Sequence, residues 1–269
     1  VKTDTGEENW VYSTEESIRT SAVLFEASVY IGTDNGRIHI IDADSGDGEE
    51  ISMLNTELSA SPVADNSAVY FVTTNVNVVA IDPTENELAW ELSIEASVSA
   101  TPAVGNGTLY VGTEDGIVIA INKVNGNERW SIDLGEPIEQ GIALTGEIVV
   151  CGTADGFLYG VDTEDEEIRW EYEIGSSITT PISVSNSIIY FGDRSGRLFA
   201  VTAEGDLVNS LWDGLQTRNP EVVKETIDET VPPEAQGVVG IGTAGLVTYL
   251  TAGWLRGKKE QSDSTEVSS

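Results

Sequence analysis

Short runs of alternating hydrophobic and polar residues fill most of the chain, with turn residues about every ten positions. In the segment 87–122, Asn106-Gly107 and Asp115-Gly116 supply the positive φ angles that tight hairpin turns need. Period-two alternation between such turns is typical of β-strands. The pattern therefore predicts four short antiparallel strands, at 87–94, 100–104, 108–113 and 117–122.

Aromatic and glycine residues repeat in phase with this pattern every forty residues. The tryptophans of the repeat are Trp10, Trp90, Trp130 and Trp170, with Glu50 in the one vacant place. A turn bounded by glycines recurs at 32–36, 112–116, 152–156 and 192–196. Four strands in about forty residues is the size of a β-propeller blade. The sequence predicts an all-β fold over 1–212, with five blades plus a stub.

The segment 80–90 resembles the tryptophan-docking motif of quinoprotein-like (PQQ-type) propeller repeats, in which Ala-x-Asp is followed by Trp eight residues after the Asp. The resemblance covers residue 1 to about residue 212. In that family the Trp packs between blades and the Asp holds its own corner of the blade. The resemblance implies structural roles for the repeated residues Trp10, Trp90, Trp130, Trp170, Asp82, Asp162, Gly112, Gly116, Gly152 and Gly156.

Similar propellers close with seven or eight blades. Residues 4–10 match only the second half of a docking motif, and no initiator Met precedes them. We therefore expect an N-terminally truncated chain whose upstream blades complete the propeller.

The repeat stops after Trp212. Residues 213–234 contain three prolines and mixed charges, as in a linker. Residues 235–255 carry no charge and are long enough to span a hydrocarbon core of about 30 Å as a helix. Basic residues follow at once, so the positive-inside rule places the tail, 256–269, in the cytoplasm. The prediction is a single-pass membrane protein with an extracellular propeller; the alternative is a helix packed in a soluble neighbour.

The chain has 46 acidic and 13 basic residues, a formal net charge of −33. Nucleic acid is excluded as a partner, because binding it requires clustered Lys and Arg. Acidity spread along the chain resembles the composition of proteins from extreme halophiles, where molar salt screens the mutual repulsion of the carboxylates. An acidic protein from an ordinary habitat is the alternative.

Few residues could carry chemistry. Quinoprotein dehydrogenases of this fold use a quinone (PQQ), a calcium ion and two adjacent cysteines, whereas Cys151 is the single cysteine and occupies an apolar strand column. His39, the single histidine, also falls in a strand column and has no second imidazole or thiolate partner. Oxygen ligands alternate in one acidic turn, which makes weak calcium candidates of Asp42, Asp44, Asp47 and Glu49, but the spacing differs from that of a calcium-binding loop.

These observations predict no catalytic residue and no bound cofactor. The function that fits them is a membrane-anchored, non-catalytic binding or assembly scaffold at the cell surface. The family resemblance implies a protein partner bound at propeller loops or edges. One alternative is a quinone- and calcium-dependent dehydrogenase whose site lies partly in upstream blades. The other is an extracellular sensor domain.

Overall fold

The computed structural model describes residues 4–54, 56–205 and 207–210, all within the unit Val1–Gly214. These residues form five four-stranded antiparallel sheets and no helix. The first sheet comprises β1 (Val23–Phe25), β2 (Ser28–Gly32), β3 (Arg37–Asp42) and β4 (Gly48–Met53). The second comprises β5 (Val63–Ala64), β6 (Val69–Val72), β7 (Asn77–Asp82) and β8 (Glu87–Ser93). The third comprises β9 (Ala103–Gly105), β10 (Thr108–Gly112), β11 (Ile117–Asn122) and β12 (Glu128–Asp133).

The last two sheets follow the same plan. The fourth comprises β13 (Ala143–Thr145), β14 (Ile148–Gly152), β15 (Phe157–Asp162) and β16 (Glu167–Glu173). The fifth comprises β17 (Ser183–Ser185), β18 (Ile188–Gly192), β19 (Leu198–Thr202) and β20 (Leu207–Ser210). Each strand pairs with the next along the chain, and the first strands of consecutive sheets adjoin one another. The sheets therefore follow one another around an axis as propeller blades do.

The four strands predicted within 87–122 are all present, but they divide between two sheets. β8 is the outermost strand of the second sheet, whereas β9, β10 and β11 begin the third. The link between them, residues 94–102, carries the chain from the outer edge of one sheet to the inner edge of the next. The predicted strand at 100–104 accordingly begins later, at Ala103.

The strand register explains why aromatic and small residues recur in phase. Tyr110 lies opposite Ala120, and Ala120 lies opposite Trp130 on the next strand. The small central residue leaves room for the two rings, whose centroids lie 5.8 Å apart. A β-bulge follows this row in the second, third, fourth and fifth sheets. The first sheet has Ile40 in the central place and Glu50 in the Trp column, and its bulge lies earlier, between Ile38 and His39.

The core of the described residues lies between sheets rather than inside one. Four apolar clusters each join two consecutive sheets, from the first pair to the fourth. The cluster between the second and third sheets, for example, contains Tyr70 and Trp90 together with Leu109 and Ile119. Each sheet therefore depends on its neighbours to bury its apolar faces.

The predicted linker at 213–234, membrane helix at 235–255 and tail at 256–269 lie outside the described residues. Within the part that is described, no helix has the length and apolarity needed to cross a membrane. The total of seven or eight blades stays a prediction.

Candidate functional site

Tryptophans of the repeat dock onto the sheet that follows their own. The indole Nε1 of Trp10 donates a hydrogen bond to the Ala43 carbonyl oxygen at 2.9 Å. Trp90 and Trp170 donate to Lys123 and Ala203 in the same way, at 2.9 and 2.8 Å. Trp130 is buried in the cluster between the third and fourth sheets. These side chains hold neighbouring sheets together and leave little of their surface for a ligand.

A glycine lies beneath three of these indoles, a feature that the sequence reasoning missed. Gly46, Gly126 and Gly205 all have positive φ angles, and a Cβ atom on any of them would lie 2.4–2.8 Å from the docked ring. Gly126 follows Trp90 by thirty-six residues, as Gly46 follows Trp10. This spacing between Trp and Gly could have identified the glycines from the sequence.

The junction between the first and second sheets departs from this arrangement. Glu50 occupies the Trp column there, and its carboxylate accepts a hydrogen bond from Arg37 Nη1 at 2.6 Å. Asn86, with φ 56°, replaces the glycine. Its side-chain Oδ1 is buried without a hydrogen-bond partner among the described residues. Glu166, thirty-six residues after Trp130, has φ 58°, so this loop position is not glycine at every junction that carries an indole.

The repeated aspartates bind their own corner of the sheet. Asp82 Oδ1 accepts hydrogen bonds from the backbone N–H groups of Thr84 and Glu85, at 2.7 and 3.4 Å. Asp162 accepts from Glu164 and Asp165, and Arg169 adds an ion pair at 3.1 Å. The N–H donors of Asp165 and Glu164 lower the pKa of Asp162, and Arg169 lowers it further. These carboxylates therefore stabilise the turn at the corner of their own sheet.

The acidic turn proposed as a weak calcium site closes in the same manner. Asp42 Oδ1 accepts hydrogen bonds from the backbone N–H groups of Asp44 and Ser45, at 3.0 and 2.7 Å. These donors, Ser45 foremost, lower the pKa of Asp42. Asp47 and Glu49 are exposed. Across the described ranges, no three His, Cys, Asp or Glu side chains gather closely enough to hold a metal ion.

The glycine-bounded turns connect the second and third strands of the first, third, fourth and fifth sheets, and residues 72–76 do so without glycine in the second; we call the end that carries these turns the hairpin end. A Cβ atom on Gly112 or Gly152 would lie 2.7 or 2.6 Å from Ile138 or Ile178 of the following inter-sheet link. Gly116 and Gly156 have φ angles of 87° and 95° and lie equally close to the backbone of that link. Glycine is needed here because the link passes directly over the turn.

Backbone hydrogen bonds also fix each hairpin to the link that enters its own sheet. The N–H of Glu114 donates to Ser97 O at 2.8 Å, and the N–H of Ala154 donates to Pro137 O at 3.0 Å. The same bond joins Asp34 to Ser17 O in the first sheet, Thr74 to Glu57 O in the second and Arg194 to Ser177 O in the fifth, at 2.9, 2.8 and 2.9 Å. The hairpin end is therefore a surface of loops with a fixed geometry.

Carboxylates dominate the exposed side chains of the hairpin end. Its exposed acidic residues are Glu15, Glu57, Glu95, Glu114, Asp115, Glu136, Glu139 and Asp155. Arg19 and Arg194 are the exposed basic residues on the described hairpins and links. Arg19 already lies 3.8 Å from Asp34. A partner that docks here meets a negative surface.

The fifth sheet carries an ion pair inside its hairpin. Asp193 replaces the buried threonine of the other hairpins, and its carboxylate lies 2.6 Å from Arg197 Nη2. Arg197 also donates to the Ile174 carbonyl and lies over the Phe199 ring. Burial works to raise the pKa of Asp193, but the Arg197 backbone and guanidinium and the Ser195 hydroxyl bring it below its ordinary value. Arg197 thus pairs within its own sheet.

A second ion pair joins two sheets at the opposite end, which we call the corner end. Lys123 Nζ contacts Asp65 Oδ2, and both side chains are largely buried. Burial works to raise the pKa of Asp65, while Lys123 and Ser67 lower it below its ordinary value. The pair reinforces the junction at which Trp90 docks.

Cys151 and His39 both lie in the apolar interior. Cys151 is fully buried, and this burial raises its pKa to about 12, which leaves the thiol protonated at neutral pH. His39 is 4% exposed, and its Nδ1 lies 3.1 Å from the Tyr12 hydroxyl. Its Nε2 is buried without a hydrogen-bond partner in the described residues. At the equivalent positions, the cluster between the second and third sheets holds Leu92 and Ile119, and the next cluster holds Ile132 and Tyr159.

Three comparisons relate this chain to known proteins. A family model described as outer membrane protein assembly factor BamB matches residues 45–224. A search of curated protein sequences gave no match. Among solved structures, BamB from Moraxella catarrhalis superimposes with a TM-score of 0.64 at 18% identity, covering 76% of this chain and 67% of that one.

Two further structures share the fold. The computationally designed protein Ika8 gives a TM-score of 0.67 at 18% identity, over 75% of this chain and 63% of that one. A chain of the mitotic checkpoint complex gives 0.60 at 14% identity, over 68% and 61%. At these identities the likeness establishes a β-propeller fold. Because the family model matches more than half of the 269 residues, the chain belongs to the PQQ-like repeat family described as outer membrane protein assembly factor BamB.

Proposed function

We propose that the chain is a non-catalytic scaffold whose propeller binds a protein partner through its loops. The observation that carries this proposal is the match of 180 residues, 45–224, to a family described by an assembly factor. The contacts of the repeated residues support it, because Trp90, Asp162 and Gly116 are all engaged in structural roles. Function in propellers usually lies in the loops around such a rigid frame.

The hairpin end is the surface that suits a partner best. Its loops are fixed by hydrogen bonds from the inter-sheet links, so binding sacrifices little conformational freedom. Its exposed carboxylates, such as Glu114, Asp115 and Glu136, favour a partner segment rich in Lys and Arg. Complementary charge raises the association rate and makes it sensitive to salt.

We also propose that residues 235–255 anchor the propeller to the outer face of a membrane. Their charge-free length and the basic residues Arg256, Lys258 and Lys259 support a span with a cytoplasmic tail. An acidic, soluble propeller held at a surface would present its loops to partners outside the cell.

Charge reversal at the two ends tests the binding proposal. Glu114→Lys with Asp115→Lys changes the hairpin end, and Glu164→Lys with Asp165→Lys makes the same change at the corner end. All four side chains are exposed, so both variants should keep the fold. We expect chemical cross-linking in intact cells to lose its specific product only in the first variant. Equal loss in both variants, or no loss in either, would contradict binding at the hairpin end.

Membrane fractionation tests the anchor. Ala244→Arg with Leu250→Arg introduces two charges into the span, each costing about 2.5–3.5 kcal/mol at a helix centre. Val267→Arg in the tail is the matched control. We expect only the first variant to leave the membrane fraction, and external protease to clip the propeller of the parent protein on intact cells. A parent chain that stays soluble would refute the anchor.

A further inference from the structure

One hairpin of the third sheet carries a modification motif. Asn106-Gly107-Thr108 is the only Asn-Xaa-Ser/Thr sequence in the chain, and the central residue is not proline. This tripeptide is the acceptor of N-linked glycans in exported proteins. We propose that Asn106 is an N-glycosylation site. The inference rests on the proposed location of the propeller outside the membrane.

Asn106 lies in the position that an attached glycan requires. It is exposed at the tip of the hairpin between β9 and β10, at the corner end, with φ 51°. Its Nδ2 donates a hydrogen bond to the Gly146 carbonyl oxygen of the neighbouring sheet at 2.9 Å. A side-chain amide has two Nδ2 hydrogens, and glycosylation replaces one of them. The other can keep the bond to Gly146.

The space around the turn is open in the described structure. A Cβ atom built on Gly107 would meet only Arg129 Nη2, at 3.6 Å. A Cβ atom on Gly146, the acceptor of the Asn106 bond, would meet nothing within 4 Å. A sugar attached beside these two glycines therefore has room without displacing the hairpins.

The fold itself does not require a threonine at position 108. Thr108 is 3% exposed, in a strand position that the other sheets fill with side chains of varied size and polarity. The equivalent residues are Ser28, Ala68, Ile148 and Ile188. The Thr108 hydroxyl is buried once the hairpin has formed, so a transferase must read the motif before this hairpin closes.

The chemistry is a glycosyl transfer from a polyprenyl phosphate-linked oligosaccharide. Asn106 Nδ2 forms a bond to C1 of the first sugar, while the bond between C1 and the phosphate oxygen breaks. The polyprenyl phosphate leaves, and one Nδ2 proton passes to a base of the transferase. No oxidant or reductant is required.

The corresponding hairpin of the fifth sheet provides a matched control. Asn186 has the same φ angle, 51°, but its tripeptide ends in Ile188 and is no acceptor. Ile188→Thr completes the motif in an equivalent turn. Thr108→Ser keeps the acceptor motif at Asn106, whereas Thr108→Val and Asn106→Gln remove it.

The test is peptide mass spectrometry on the full chain, produced in cells that export it and contain an Asn-Xaa-Thr oligosaccharyltransferase. We expect a glycan mass on the peptide with Asn106 in the parent and in Thr108→Ser, no glycan in Thr108→Val and Asn106→Gln, and a second glycan in Ile188→Thr. External protease is applied to the same cells. Unmodified Asn106 on molecules that the protease clips would overturn the inference and leave the scaffold proposal standing. Unmodified chains that the protease cannot reach would refute both the glycosylation site and the proposed location of the propeller outside the membrane.

Discussion

A single methyl group at Gly126 should weaken the junction between the second and third sheets. With φ 72° at this residue, an added Cβ atom would lie 2.7 Å from Trp90 Cε3. Gly126→Ala therefore carries two costs, the left-handed backbone and the collision with the indole. Gly135→Ala is the matched control, because Gly135 has φ 84° and open space within 4 Å of the added atom.

The structure gives the size of the expected difference. A left-handed conformation costs an alanine about 1–2 kcal/mol, and both variants pay it. Overpacking adds about 1–3 kcal/mol at Gly126 alone. If the ring of Trp90 moves away instead, the protein loses the hydrogen bond to Lys123, worth about 1 kcal/mol, and part of the buried indole surface. We expect Gly126→Ala to lower the free energy of unfolding by about 1–3 kcal/mol more than Gly135→Ala does.

Urea denaturation of the full chain in molar KCl measures this difference. A double-mutant cycle sharpens it, since Gly126→Ala should cost no more than Gly135→Ala once Trp90→Ala has removed the ring. Equal destabilisation by Gly126→Ala and Gly135→Ala in the parent protein would refute the reasoning. A cost at Gly126 that persists without the indole would do the same.

Further predictions concern the core, salt, pH and the thiol. Trp130→Ala should lower the free energy of unfolding by about 3–5 kcal/mol, because the side chain is buried; an unchanged urea midpoint would contradict this. Because the chain has a net charge of −33, the propeller should unfold in dilute buffer and refold in molar KCl, where the Debye length is about 3 Å. A circular dichroism melt whose midpoint depends on salt would confirm this, and one that does not would contradict it. Asp193→Asn should destabilise the protein at pH 7. The pKa of Asp193 is lower in the folded than in the unfolded protein, so the ionised carboxylate stabilises the fold at pH values above its unfolded pKa of about 3.9. This stabilisation is lost as the pH falls through the pKa of the folded state. The urea midpoints of parent and variant should therefore converge in acid. Cys151, with a pKa of about 12, should resist iodoacetamide at pH 8 until urea unfolds the protein; rapid labelling of folded protein would place it at the surface.

Much of the fold could be predicted from the sequence because the repeat expresses it directly. Tyr110, Ala120 and Trp130 recur in phase since they lie side by side across one sheet, and the turn at Gly116 recurs because a link passes over it. The division into sheets could not be predicted in the same way. A forty-residue period looks alike from any starting point, and only the pairing of strands shows that β8 ends one sheet and β9 begins another.

The contacts of single residues were harder to predict. Arg197 pairs with Asp193, four residues earlier in the same hairpin, and nothing in the repeat indicates this pair. The pair of Lys123 with Asp65 joins residues fifty-eight positions apart, in adjacent sheets. Such contacts depend on how two sheets face each other, which the period does not encode. The exposed loops do not follow the forty-residue repeat, so the expectation of a protein partner came from the family resemblance alone.

The missing indole between the first and second sheets has a mechanical consequence. Tryptophans join the other sheets to one another, whereas with Glu50 and Asn86 this junction relies on its apolar cluster and on hydrogen bonds of the link between the two sheets. Among otherwise similar junctions between sheets, the one with the fewest stabilising contacts separates first under force. We therefore expect tension along the chain to separate β1–β4 from β5–β8 first, while the second to fifth sheets remain packed against one another.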